Sequence, residues 1–416
     1  MVYLFTILIL ILLLLSWKYI VRLEPAGIYA AMWIFMGVGV VSLDYYLVLN
    51  FYGCSFILFG VILFVIGTIF SDYFYYPTPS IITLKLRTQW VMPLLVALII
   101  GAMVNPIYSI ILHGFSLRAL LSMQELLNMN EQIAIDRYSG ANMTNIVNQF
   151  FLIFNYTAPV VGGFCFRLVG RWIRVLCVIT IIPGMFIALT QSMKMGMIIS
   201  FFLWFSSYII SSYCYGKPVR LKTKTFLRLF LIIIGFLLIL FLSMVLRTGE
   251  VSEKSILEIS EKFVSYTLGH MHNIDLWYIS HAPSQNSWGS HTFMGISNLL
   301  GTDERILGIY HEFNNIGRNG FYGISNTFTI FRPLSEDFGE VGCLLSMFLM
   351  GIAANMSLKT MISHRMAVLN QTILIALYSF LMWSFSASLF SYTSIIASYF
   401  LNYVLLKILQ KETITC

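Results

Sequence analysis

Six cations, a run of acids and a pair of histidines are the residues of this 416-residue chain whose types and spacing can do chemistry. The cations are Arg137, Lys194, Arg247, Arg305, Arg318 and Arg332. Five of them fall in or at the edges of two polar stretches, roughly 113–147 and 247–338. Lys194 sits in Gln191-Ser192-Met193-Lys194-Met195-Gly196, a tight break between two apolar runs. A single cation near a membrane span is more often a side chain reaching for the headgroups. Taken as a set they read as a binding site for an anionic headgroup or a diphosphate, because guanidinium forks match phosphate oxygens two at a time.

The acids lie in Arg332-Pro333-Leu334-Ser335-Glu336-Asp337-Phe338-Gly339-Glu340-Val341-Gly342, where the chain runs back into an apolar stretch. Three carboxylates at the mouth of a span are costly unless paired or solvated. One of them, Asp337, is the candidate general base for a hydroxyl proton, although pairing with an arginine is the more ordinary use of such an acid. The histidines are His270 and His272, followed by Asp275 and His281. The spacing is loose for a metal site, and proton transfer, with His272 as the candidate, suits it better than zinc. No phosphate-binding glycine loop of the nucleotide or dinucleotide type is present, so no cofactor is expected.

These residues need a membrane frame to position them. The chain is 58% hydrophobic and 10% charged, where a soluble domain carries about a quarter charged residues. A span needs about 20 mostly apolar residues. Eleven are predicted, at about 2–17, 27–49, 53–70, 89–112, 148–166, 175–191, 196–213, 226–246, 340–357, 370–388 and 391–408. The fold class expected is an all-α polytopic membrane protein. Its parts are an N-terminal bundle of four spans (1–112), a first large outer loop (113–147), a central bundle of four (148–246), a second outer loop (247–338) and three C-terminal spans (339–416). The first apolar run has no basic residue before it and no small-x-small cleavage site, so it reads as a span, not a signal peptide.

Alternate loops on one side carry sixteen basic residues, among them Lys18, Arg22, Arg167, Arg171, Lys217, Arg220 and Lys359, against the acids Glu24, Asp72 and Glu412. Positive charge is retained in the cytoplasm, so that side is expected inside, with the N-terminus outside and the C-terminus inside. The net charge of +7 is then a topology signal and implies no nucleic-acid partner. None of the six cysteines lies inside either outer loop, which argues against a disulfide framework there.

Within the first outer loop, Ser116 is a plausible cap, and Leu117, Leu120, Leu121 and Leu127 predict a short amphipathic helix ending near Arg137-Tyr138-Ser139-Gly140. In the second, Ser255 and Glu258 have capping-box spacing ahead of a helix through Tyr266. A second helical piece is expected over Met271–Ile279 and a third after Thr302. Asn314 to Gly320 reads as turns.

Arg137-Tyr138-Ser139-Gly140, Leu189-Thr190-Gln191-Ser192-Met193-Lys194 and the stretch Leu276–Ile296 resemble the integral-membrane oligosaccharide repeat-unit polymerases (Wzy type). So, most closely, do Asn326-Thr327-Phe328 and Glu336-Asp337-Phe338-Gly339-Glu340-Val341-Gly342 before an apolar span containing Gly351. The resemblance extends to the whole layout of many spans with two enlarged outer loops. One departure is that no outer-loop arginine here is followed eleven residues later by glycine, as in some members. The resemblance implies an enzyme of the bacterial inner membrane that extends O-antigen or capsule chains on its outer face. A glycan on undecaprenyl diphosphate would be the donor and a single lipid-linked unit the acceptor. The diphosphate would leave without a metal. The implied partners are undecaprenyl-diphosphate-linked glycans, membrane lipids, a chain-length regulator and a flippase. Rival readings are an O-antigen ligase acting on lipid A core, whose members usually carry a His near the place of Asn326, and a lipid-linked oligosaccharide flippase.

Overall fold

A computed structural model of the chain describes residues 1–47, 49–78, 82–138, 146–191, 194–247, 253–281, 286–301, 310, 312–320, 322–364 and 367–414. About 79% is helical. The helices are α1 (Val2–Arg22), α2 (Pro25–Ser42), α3 (Asp44–Leu47), α4 (Tyr52–Phe74), α5 (Thr88–Leu112), α6 (Met123–Tyr138), α7 (Ile146–Cys165) and α8 (Arg171–Ile179). They continue with α9 (Ile182–Thr190), α10 (Lys194–Cys214), α11 (Thr223–Arg247), α12 (Glu253–Ser280), α13 (Met294–Leu300), α14 (Phe331–Ile362), α15 (Ala367–Trp383) and α16 (Thr393–Leu409). Two short antiparallel pairs complete it: β1 (Ile82–Leu86) with β4 (Gln410–Ile414), and β2 (Asn314–Asn315) with β3 (Ile324–Ser325).

Seven helical stretches among the described residues are long and apolar enough to cross a membrane, and the shorter α15 and α16 are apolar too. The all-α membrane architecture therefore holds. The apolar run expected as a span over 175–191 is two pieces, α8 and α9, joined through Thr180 and Ile181. Pro183 explains the break, since it has no N–H to continue the ladder.

The groups of spans read along the chain interleave in space. α4 packs along α14, α7 lies against α5, α10 and α16, and α10 also meets α15. Small residues permit the closest of these crossings. A Cβ on Gly67 would strike the Phe348 carbonyl, and one on Gly351 would strike the Phe64 carbonyl. In lipid, where apolar surface alone gives no preference for a partner helix, such close backbone approach is a principal source of helix association.

The outer-loop expectations resolve in detail. The first loop holds a 3-10 turn over Leu117–Leu121 and then α6, so the expected helix is present with a later start. In the second loop α12 begins at Glu253, ahead of Ser255, so Ser255 does not cap it. The two helical pieces expected there are one continuous helix, because no proline interrupts residues 253–280. The helix expected after Thr302 lies outside the described residues. Of the turns expected over Asn314–Gly320, those at Gly317 and Gly320 are present, with φ of 78° and 72°, whereas Asn314–Asn315 is strand β2 instead.

α14 contains a sharp turn at Gly339, with φ 71° and ψ 172°. This is a backbone conformation that side-chain-bearing residues rarely adopt. The first piece, Phe331 to Phe338, doubles back on the second: the Cys343 thiol lies 3.9 Å from the Phe331 carbonyl. Phe331 packs at Gly60, two turns inside α4, so this piece is a re-entrant segment enclosed by protein.

Candidate functional site

The re-entrant piece ends at Gly339, which leaves its last carbonyls without helical partners. A turn from the second loop supplies donors. Ser287 N–H bonds the Glu336 carbonyl at 3.2 Å and Trp288 N–H bonds that of Asp337 at 3.0 Å. Holding that turn in place forces Trp288 to φ 51°, a costly conformation for a bulky residue that persists only where neighbours fix it.

The Asp337 side chain, fully buried, receives the rest of the turn. Its Oδ1 accepts from Ser287 Oγ at 2.9 Å and His291 N–H at 3.1 Å. Its Oδ2 accepts from Thr292 N–H at 2.7 Å. His291 Nδ1 stands 3.2 Å from Oδ1 and 2.7 Å from Ser287 Oγ. Nδ1 therefore carries the proton in the arrangement these partners favour, and Nε2 is turned outward on a side chain that is 37% exposed. Bonding to Asp337 raises the pKa of His291 above the ordinary histidine value, helped by the Glu336 charge and opposed by burial and Arg332. A carboxylate thus orients an imidazole whose free nitrogen faces outward, the arrangement of a positioned general base.

One turn earlier on the same piece, Arg332 is enclosed by carboxylates and rings. Its Nη1 and Nη2 donate to Glu312 at 2.8 and 3.0 Å, and its Nε donates to Glu336 at 2.9 Å. The guanidinium also lies 3.8 Å from the centre of the Tyr310 ring and 4.2 Å from that of Phe328. Tyr310 O–H closes the circuit by donating to Glu336 at 2.7 Å. Arg332 is 6% exposed, whereas Glu312, its bidentate partner, is 62% exposed. The cation is thus already paired, and its outer partner is the one that an arriving anion would displace.

Asp275 and the histidines before it serve α12. The Asp275 carboxylate accepts from Asn50, Phe51 and Gly53 N–H at 2.7, 3.1 and 2.9 Å. Phe51 and Gly53 N–H are among the donors left open at the start of α4 and Asn50 lies just before it, so Asp275 caps that helix from a distant part of the chain. His270 and His272, two residues apart on a helix, point to different sides. His270 is enclosed by Trp33 and Phe385, and burial pushes its pKa down to about 3. His272 is 6% exposed and lowered for the same reason, with Asp275 opposing. Among the described residues no group of three His, Cys, Asp or Glu could hold a metal ion.

The remaining cations are dispersed. Lys194 lies 4.0 Å from the centre of the Tyr266 ring on α12. Arg318 lies 4.8 Å from that of Tyr45. Tyr266 and Trp277, the latter beside Arg332, are about 16 Å apart along α12 at 1.5 Å per residue. Arg137 and Arg247 close α6 and α11, and their side chains, like the whole of Arg305, lie outside the described residues. Of the residues singled out from the sequence, Arg332, Glu336 and Asp337 come together. Ser287 and His291, from the stretch Leu276–Ile296, join them, as do Tyr310 and Glu312, which were not proposed as site residues. Compared with known proteins, the chain matches no family model, no curated relative and no solved structure.

Proposed function

We propose that this chain is a membrane glycosyltransferase that polymerises undecaprenyl-diphosphate-linked oligosaccharide repeat units into O-antigen or capsular polysaccharide. The growing glycan passes to a sugar hydroxyl of the next lipid-linked unit, and undecaprenyl diphosphate leaves. The observation that carries this reading is His291: an imidazole oriented by buried Asp337, presenting Nε2 at the mouth of a span beside a buried arginine.

His291 Nε2 takes the proton of the attacking hydroxyl, and Asp337 acts through it by fixing its orientation and stabilising the imidazolium. Arg332 supplies charge for the departing diphosphate, which replaces Glu312 on the guanidinium fork. Arg247, where α11 meets the second loop, is the second candidate for the diphosphate. Arg137, Lys194, Arg305 and Arg318 stand behind it. His272 and Asp275 set the pose of α12, over which the site is built. The chain is oriented with its basic loops in the cytoplasm of a bacterial cell, so the site faces the periplasm. Reporter fusions after Arg220 and Lys359 then read cytoplasm, and fusions after Asn130 and Gln285 read the outer compartment.

The test is reconstitution of the purified chain in liposomes with lipid-linked repeat units. The expected product is a ladder of lengthened lipid-linked glycans in excess EDTA. Transfer to lipid A core without a ladder would make the enzyme a ligase. Translocation of the unit without any new glycosidic bond would make it a flippase.

A further inference from the structure

The end of the molecule opposite His291 holds a cavity of about 620 Å³ that the proposed reaction does not use. The last turns of α1, α4 and α14 enclose it. Its hub is Asp72, which accepts from Lys18 Nζ at 2.9 Å, Tyr19 O–H at 2.8 Å and Asn355 Nδ2 at 3.0 Å. Lys359 Nζ is 3.1 Å from the same carboxylate, and it donates to the carbonyls of Ser71, Asp72 and Tyr75 at 3.2, 3.1 and 3.0 Å. Asp72 is therefore neutralised within the protein, and Lys359 is committed to capping α4.

Lys18, although bonded to Asp72, has further ammonium donors to offer, and Arg22 makes only a long contact with Glu24. Their side chains are 54% and 52% exposed. The carboxylate nearest Arg22, that of Glu24, is 3.6 Å away, too far for a good hydrogen bond. Burial raises the pKa of Glu24, with the Arg22 charge opposing.

The wall below these cations is apolar, made by Leu15, Ile69 and Ile362. It continues into side chains that face outward, with Trp17 61% and Phe74 74% exposed. A cationic hollow above an apolar wall, at the end of membrane-length helices, matches a phosphate joined to an acyl chain. A cation that merely reaches for headgroups needs neither the hollow nor a neutralised acid behind it.

We infer that this cavity binds the phosphate of a membrane lipid, held by Lys18 and Arg22, with an acyl chain along Leu15 and Ile69. Free phosphate shares the charge chemistry but gains nothing from the wall. The site is remote from the proposed chemistry and stands or falls independently of it.

Native mass spectrometry of the full chain in detergent, titrated with phosphatidylglycerol or with inorganic phosphate, tests the assignment. One cation near an anionic lipid is worth roughly fivefold in affinity. Arg22→Gln should weaken phosphatidylglycerol binding about fivefold, and Lys18→Gln with Arg22→Gln about thirtyfold. The charge-keeping pair Lys18→Arg with Arg22→Lys should retain most of it. Lys407→Gln with Lys411→Gln removes the same charge at the same end, outside the cavity, and should leave binding unchanged. Equal losses in the two charge-removing pairs would mean general surface attraction and overturn the site. So would unchanged binding in Arg22→Gln, a variant that gives up only the 3.6 Å contact with Glu24. Inorganic phosphate displacing the lipid at matched concentration would assign the cavity to free phosphate instead.

Discussion

The two ends of α4 hold the two polar centres of this protein, about 30 Å apart along the helix axis, and they handle charge in opposite ways. At the Tyr52 end, Asp275, Asp337 and Arg332 are buried and satisfied by named donors and acceptors, and the outward-facing groups are His291 and Glu312. At the Phe74 end, one acid is satisfied while Lys18 and Arg22 stand half-exposed around an open cavity. Burial of a charge is tolerated only with full pairing, so the first arrangement fixes geometry. The second leaves charge accessible. Rigid placement of one reactive group suits chemistry, and exposed cations around a hollow suit binding.

The largest expected effect comes from breaking the first end at its outward group. His291→Ala should lower polymerisation roughly 10²–10⁴-fold with protein abundance unchanged, measured as initial rate of ladder formation in liposomes. Full activity at equal abundance would remove His291 from the chemistry.

Asp275→Ala should instead cost stability. It strips a buried carboxylate from three backbone donors at the start of α4, a loss of about 3 kcal/mol or more. The readout is a lower thermal midpoint in detergent. A midpoint equal to that of the unaltered chain would show that α12 does not anchor α4.

Gly351→Val tests the packing that joins the two ends. Its new side chain meets the Phe64 backbone, an overpacking cost of about 1–3 kcal/mol. Thermal unfolding should reveal it at any pH, and an unchanged midpoint would contradict the close α4–α14 crossing.

Titration of His291 gives a smaller effect with a distinctive sign. Its folded pKa is raised above the unfolded value of about 6.5. Its stabilising contribution is complete below that value and is lost as pH rises through the folded pKa. Activity should move the other way, because a base must be neutral. The acid limb of kcat/KM therefore has its midpoint above about 6.5, and Asp337→Asn shifts it downward. A limb that ignores Asp337→Asn would mean that another group titrates.

The smallest effect is expected from Glu312→Gln. Its carboxylate is 62% exposed, so stability should change by less than about 1 kcal/mol. If Glu312 occupies the place of the diphosphate, the same variant should lower the KM for the lipid-linked donor while kcat holds. A raised KM would assign Glu312 to substrate binding.

The membrane architecture was legible in the sequence because it depends on composition over windows of about 20 residues. The re-entrant segment was legible in part: Gly339 and the acids marked it, but the sequence suggested a helix start where the chain turns back between two helical pieces. The site was legible only where its residues are neighbours in sequence. Arg332, Glu336 and Asp337 share one short piece, and their types sufficed to select them. His291 lies 46 residues from Asp337, and Asp275 lies 222 to 225 residues from the donors it caps. No local pattern encodes such pairs.

The sequence by itself determined that the chain is apolar, helical and punctuated by two polar stretches, since hydrophobic length and charge placement are additive properties of residues. Tertiary structure decided which acid is saturated, which cation is already paired and which imidazole nitrogen faces outward. Those outcomes depend on directional hydrogen bonds between distant segments, and on the cost of leaving any buried charge without them.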